Sequence, residues 1–273
     1  MLGRPMSRAA LSSTSERLSI LGMQVAPTSY AQAAAWCCKW SQRDAAGYIC
    51  AANVHMCMEC WDSGEFRAVV NGAALVTPDG MPLVWALRLL GCVQAQRVYG
   101  PTLMLEVCAE AERRGIPIGL HGGTTGALVG IQTALVGRFP ALRIVYAVSP
   151  PFSVPTAQED ADTVARINAS GCRLLFVGLG CPKQERWMAA HQGRVAPLML
   201  GVGAAFAFHA GQVAQAPALV QRIGMEWAFR LAMEPQRLWK RYALHNPRFV
   251  LLFALQLLGV LPRPRWVART KAT

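Results

Sequence analysis

The sequence is short of charge: Asp, Glu, Lys and Arg make up 15% of its 273 residues, and acids are the scarcer sign. Low charge with a positive mean hydropathy raises the question of membrane contact, yet no segment supplies a span. The best candidate, Phe249 to Leu261, is interrupted by Gln256 and Gly259. It falls well short of the roughly 20 apolar residues that a spanning helix needs. The N-terminal stretch carries arginines but no continuous apolar segment, so no secretory signal is expected and the chain should stay in the cytoplasm. Also missing are a second CxxC beside Cys57 and Cys60 and a histidine pair to complete a zinc site. The nine cysteines, among them Cys37, Cys50, Cys108 and Cys181, are then expected to be reduced and mostly to pack as small apolar groups. The strict GxGxxG spacing of a dinucleotide fingerprint is absent as well.

What is present begins with a large apolar fraction, 53%, which excludes a disordered chain and supplies a sizeable core. The net charge of +12 is unevenly placed. From Arg222 to the end stand ten Lys or Arg against two acids, Glu226 and Glu234. Such asymmetry points to an anionic partner: nucleic acid, a phospholipid surface or the phosphates of a substrate.

Short apolar runs alternate with helical spacing along most of the chain. Strands are expected at Leu18–Val25, Tyr48–Ala52, Ala74–Val76, Ile116–Leu120, Leu142–Ala147, Arg173–Val177 and Leu198–Val202. Helices are expected at about 29–43, 54–70, 83–90, 125–139, 158–169 and 183–191. This order predicts an α/β fold, a Rossmann-like and mostly parallel sheet with helices on both faces, over residues 17–215. Residues 1–16 are expected to be a loose leader. Residues 216–273 are expected to form a basic, helical, membrane-associated appendage, broken at Glu234-Pro235 and at Asn246-Pro247.

In open parallel sheets ligands lie outside the carboxyl ends of the strands, and the candidate site residues cluster there. Gly122 and Gly123 follow one strand and open a helix, a turn that lets backbone approach a phosphate or simply turns tightly. Gly180, Lys183, Gln184 and Glu185 follow another, with donors and acceptors suited to a base or ribose, or with Glu185 merely favoured by a helix N-terminus. Asp79 sits in a Pro-Asp-Gly turn, where an Asp more often caps backbone. Asn53 and His55 follow the strand Tyr48–Ala52.

Taken together and in order, Asn53, Asp79-Gly80, Arg97 to Gly100, Gly122-Gly123, Phe139 to Arg143, Gly178 to Trp187, Gly201 to Phe206 and Gly224 to Trp227 carry a specific likeness. With Arg230-Leu231, Glu234-Pro235, Arg237 and Arg241-Tyr242, the series resembles the WecG/TagA/CpsF glycosyltransferase family from about Leu18 to Phe253. The resemblance implies a metal-independent inverting transferase, with no cofactor, that moves a sugar from a UDP-sugar to an undecaprenyl-diphosphate-linked acceptor in cell-surface polysaccharide synthesis. It implies Asp79 as general base and Asn53 as a family site residue. The Lys183 to Glu185 segment is implied to hold the nucleotide, and the basic C-terminal segment to meet the inner face of the membrane over the site. With no metal expected, Arg230, Arg237 and Lys240 or Arg241 are left to hold the diphosphate charge. Ala51 stands where the family usually has threonine, and Ala207 where it often has Asp.

Leu219, Val220, Ile223, Trp227 and Leu231 can form one apolar stripe, suited to a lipid interface, to the parent domain or to a second subunit. No nucleic-acid partner is implied by the family. The residues also admit a nucleotide-dependent oxidoreductase, disfavoured because no acid stands at a ribose position after a GxGxxG. A non-enzymatic lipid- or nucleic-acid-binding protein is the third reading.

Overall fold

The computed structural model describes residues 16–43, 45–151, 153–261 and 267–268. The chain opens with strands β1 (Glu16–Ile20) and β2 (Met23–Val25), helix α1 (Tyr30–Ser41), strand β3 (Tyr48–Ala52), and helices α2 (Val54–Asp62) and α3 (Gly64–Gly72). Strand β4 (Leu75–Pro78), helices α4 (Met81–Leu89) and α5 (Gly100–Arg114), strand β5 (Ile118–Gly122), helix α6 (Thr125–Arg138) and strand β6 (Ile144–Val148) follow. Then come α7 (Ala157–Ala169), β7 (Leu174–Gly178), α8 (Lys183–His191), β8 (Leu198–Gly201) and α9 (Ala205–His209). The chain continues through α10 (Ala218–Arg222), α11 (Glu226–Met233), α12 (Pro235–Leu257) and a short β9 (Val267–Ala268).

Six strands form one sheet in the order β4-β3-β8-β7-β5-β6, and every pairing in it is parallel. Because side chains alternate across a strand, each central strand feeds two cores. Leu175 and Val177 of β7 join Met199 under α2, α3, α4 and α8, while Leu174 and Phe176 join Leu198 and Leu200 under α1, α5, α6 and α9. The expected α/β, Rossmann-like sheet with helices on both faces is therefore present. Cys57 and Cys60 are fully buried in the first core, and burial pushes the Cys60 thiol up to about 12.

Three expected elements come out differently. Leu18–Val25 is not one strand but the β1–β2 hairpin, turned at Leu21 and Gly22, both with positive φ. The helical stretch 54–70 is two helices, with Ser63 capping the second through Phe66 N–H at 3.1 Å. Helix α12 runs on through Pro247 instead of breaking at Asn246-Pro247. A proline inside a helix removes one hydrogen bond and costs about 3 kcal/mol. Packing on both sides offsets this: Leu238 before it, and Phe249 and Phe253 after it, are buried. Gln256 adds a lock, accepting from Leu21 N–H at 2.8 Å and donating to the Ser19 carbonyl at 2.9 Å. Helix α5 was not expected at all. The loose leader lies outside the described residues up to its last position, Glu16, which opens β1, and so do the basic residues Arg263, Arg265, Arg269 and Lys271.

The exits of β5 and β7 touch. Gly123 N–H donates to the Gly178 carbonyl at 3.0 Å, and a Cβ on Gly122 would stand 2.6 Å from that same carbonyl oxygen at φ +122. Gly122→Ala is expected to destabilise the fold by about 2–4 kcal/mol, from backbone strain and overpacking together. A urea midpoint lowered accordingly in chemical denaturation checks this, and an unchanged midpoint refutes the steric account.

Candidate functional site

Asp79 leaves edge strand β4 with its backbone N–H on the Ala52 carbonyl at 2.8 Å, so the turn is pinned beside Asn53 at the end of β3. Its Oδ2 accepts from Gly100 N–H at 2.9 Å. Gly100 opens α5, and an unpaired N–H at a helix start favours a carboxylate. A Cβ on Gly100 would stand 3.3 Å from that oxygen and 3.4 Å from the Ala51 methyl, so glycine lets the carboxylate settle without displacement. Asn53 caps α2, its Oδ1 accepting from Met56 N–H at 3.2 Å.

Arg97 closes the other side of Asp79. Its Nε donates to the Asp79 backbone carbonyl, and one terminal nitrogen bonds the Glu226 carboxylate and lies 3.9 Å from Asp79 Oδ1. The other donates to Gln221 Oε1 at 3.2 Å, and the guanidinium stands 4.2 Å over the Tyr99 ring. Burial raises the Asp79 carboxyl to about 6, against the pull of Arg97 and the Gly100 N–H, with Glu226 adding to the rise. Burial opposes the Arg97 charge too, but Asp79 and Glu226 outweigh it and raise its pKa. A carboxylate tuned toward neutrality is suited to accepting a proton near physiological pH.

Asp79 opens onto a cavity of about 550 Å³ between the ends of β3 and β4, helix α4 and helices α11 and α12. Its polar end holds Asn53, His55, Asp79, Arg97, Arg230 and Arg241, and its apolar end is lined by Leu89, Phe253, Ala254 and Leu257. Trp85, Trp227 and Tyr242 stand in its walls. The Nε atoms of Arg230 and Arg241 are buried without a hydrogen-bond partner. Burial, with Arg230 and Arg237 nearby, lowers the Arg241 pKa. Two half-buried guanidinium groups, each with a buried and unsatisfied Nε donor, form a site for an anion, because an unpaired buried donor costs about 1–3 kcal/mol until a partner arrives.

Of the candidate site residues, Asp79, Asn53, His55, Arg230 and Arg241 meet in this cavity, joined by Gly80, Arg97, Gly224, Glu226, Trp227 and Tyr242 from the ordered motifs, while Gly122, Gly123, Gly180, Lys183, Gln184, Glu185, Arg237 and Lys240 do not line it. Arg237 is exposed and paired with Glu234 at 2.7 Å. Gly122 and Gly123 serve the β5–β7 contact and the approach of Phe206. Gly180 has open space around it and Lys183 is exposed. Gln184 and Glu185 are buried rather than presented to a ligand. Gln184 donates to Glu185 Oε1 at 2.6 Å and accepts from Gly203 N–H at 2.9 Å, holding the exit of β8. Asp160 and Asp162 have DxD spacing but sit in α7, where Asp160 bonds His191 at 2.8 Å and Arg194 at 2.6 Å, outside the cavity.

Sequence reasoning missed Trp85 and His245 as site residues, and it quoted Arg97 and Glu226 only within the ordered motifs, without a role at the site. One signal was available: Glu226 is one of only two acids in a segment dominated by cations, and an acid withdrawn from water is almost always paired. The family model of the WecG/TagA/CpsF glycosyl transferases matches residues 18–262, which takes in every strand of the sheet and all of the cavity wall. The chain therefore belongs to the WecG/TagA/CpsF glycosyl transferase family, whose members act in cell-surface polysaccharide synthesis.

Proposed function

We propose that the chain is an inverting, metal-independent transferase that moves a sugar from a UDP-sugar to an undecaprenyl-diphosphate-linked acceptor at the inner face of the cytoplasmic membrane. The observation that carries this reading is the composition of one cavity: the Asp79 carboxylate and two arginines with unpartnered Nε donors stand at one end of α12, and Leu89, Phe253, Ala254 and Leu257 line it toward the other. An acceptor that joins a sugar, a diphosphate and a lipid has the same polarity along its length.

In this mechanism Asp79 takes the proton of the acceptor hydroxyl as that oxygen attacks the anomeric carbon. The new C–O bond forms from the face opposite the leaving group, so the configuration inverts. The bond to UDP breaks with its electron pair going to the diphosphate, and Arg230 and Arg241 stabilise the charge that develops there. Asn53 offers its NH2 group to the sugar, its oxygen being used on α2. The buried Gln184–Glu185 pair then serves the nucleotide indirectly, by holding the β8 exit turn.

Residues 216–273 act in this reading as the membrane-facing appendage. Leu219, Ile223, Trp239, Val250, Leu251 and Leu258 are exposed and stand among Arg222, Lys240 and Arg248, the mix that suits a headgroup interface. Among the described residues no helix is long and apolar enough to cross a membrane.

Calorimetric titration with UDP and with NAD tests the ligand class. UDP is expected to bind, and Arg241→Ala is expected to weaken it by about ten- to a hundredfold. Saturable NAD binding with none for UDP would favour the oxidoreductase instead. Transfer to an acceptor held in vesicles is expected to be faster on anionic than on neutral lipid; equal rates would remove the interfacial role.

A further inference from the structure

Helices α2 and α12 meet along a seam that the sugar-transfer reading leaves unused. Its outer end is fixed by a two-pronged ion pair, Arg248 donating to the two carboxylate oxygens of Asp62 at 3.0 and 2.6 Å. One turn back on each helix, the facing residues are His245 on α12 and Glu59 on α2, with His55 a further turn along α2. One ligand atom from each of His55, Glu59 and His245 lies within 4.8 Å of the others. His55 Nδ1 stands 3.7 Å from Glu59 Oε1, too far for a hydrogen bond. The two imidazole rings are 5.1 Å apart, centre to centre.

Both Nδ1 atoms, of His55 and of His245, are buried and have no hydrogen-bond partner. The unpartnered Nδ1 of His55 is the ring nitrogen that stands beside the Glu59 carboxylate. Burial first, and then the Arg241 charge and His245, lower His55 to about 3, and burial lowers His245 as well, so both rings are neutral at physiological pH, as ligation requires.

We propose that His55, Glu59 and His245 form a site for a zinc-class divalent ion that bridges α2 and α12. Two imidazoles and one carboxylate are a ligand set used by tetrahedral zinc, whose ligand atoms stand about 3.4 Å apart at bond lengths near 2.1 Å. The three atoms lie within 4.8 Å of one another and close by up to about 1.4 Å to reach that spacing. Imidazole selects zinc, cobalt, nickel or copper over magnesium, which prefers oxygen. The fourth position faces the cavity, since His55 and His245 both line it. Arg241 carries the one cationic group that bears on both imidazoles, and an anion or hydroxide in the fourth position balances it. The bound ion acts as a clamp, holding α12, and with it Arg241, against the Rossmann-like body. It goes beyond the transfer reading and leaves leaving-group charge to the arginines.

The test uses metal-free full-length protein and no sugar donor, so it stands or falls apart from the transferase assignment. Titration with Zn2+ is expected to show one equivalent bound and a rise in Tm, with no such effect from Mg2+. Co2+ in its place is expected to give the intense visible absorption of a four-coordinate ion. His245→Ala and, as a variant that keeps shape, Glu59→Gln are each expected to weaken zinc binding by at least about tenfold. The buried cysteines are the competing sink, and the variants separate the two. Absence of stoichiometric uptake by the unaltered chain, or zinc binding undiminished in Glu59→Gln, overturns the proposal.

Discussion

Asp79→Asn is expected to lower the rate of sugar transfer by about 10²- to 10⁴-fold while the protein stays folded. The amide keeps an oxygen for Gly100 N–H and matches the carboxylate in size, so the turn at the end of β4 is preserved. What it lacks is the ability to take a proton from the acceptor hydroxyl. The stability effect should run the other way. With its folded pKa raised to about 6 from an ordinary 3.8, Asp79 favours folding below the ordinary value, and that contribution is lost as pH rises through 6. At pH 7 its ionised form works against the fold by up to about 3 kcal/mol. The Asn variant is therefore expected to melt no lower than the unaltered chain at pH 7, and higher if Arg97 keeps its bond to Glu226. Transfer measured beside a melting curve separates the two effects; an Asn variant that melts early and regains activity when stabilised would assign Asp79 to structure alone.

The second large effect is at Arg97. Arg97→Met removes the cation between Asp79 and Glu226, both of which are only 15% exposed at the side chain. Breaking a buried pair by removing one partner costs about 3–5 kcal/mol, less where water can enter, so a loss of about 2–4 kcal/mol is expected in urea unfolding. Activity should fall as well, because the Asp79 backbone carbonyl loses its anchor and the carboxylate loses the charge that keeps it partly ionised. Adding Glu226→Gln to Arg97→Met should recover part of the stability, since the stranded charge is then gone. Strict additivity of the two changes would contradict the pairing.

This Arg97–Glu226 bond explains why the site was only half legible. Alternating strands and helices were readable because β3 and α8 carry their periodicity and their turn residues locally. The glycines at strand exits were readable as close contacts for the same reason. By contrast, Arg97 and Glu226 are 129 positions apart, and Glu59 and His245 lie on different helices, so no local spacing joins them. Gln184 and Glu185 misled for a physical reason: residues opening a helix at a sheet edge can face outward to a ligand or inward to the core. Here the space above Gly201, whose added Cβ would stand 2.8 Å from Gln184 Nε2, draws them in. Helix α5 was hidden by its Gly100-Pro101 opening, which resembles a turn, although Leu103, Met104, Val107, Cys108 and Ala111 are buried along one face. Residue type alone did not single out Asp79 from other turn aspartates; the ordered motifs of the family did.

The measurement that bears most directly on Asp79 as the proton acceptor is the pH dependence of single-turnover transfer, in the unaltered chain and in Arg97→Met. An acid limb is expected with a midpoint near 6, the rate falling about tenfold per pH unit below it, and the limb should move to higher pH when Arg97 is removed. A rate that stays level across about pH 5 to 8, or a limb that does not move in the variant, would contradict the account.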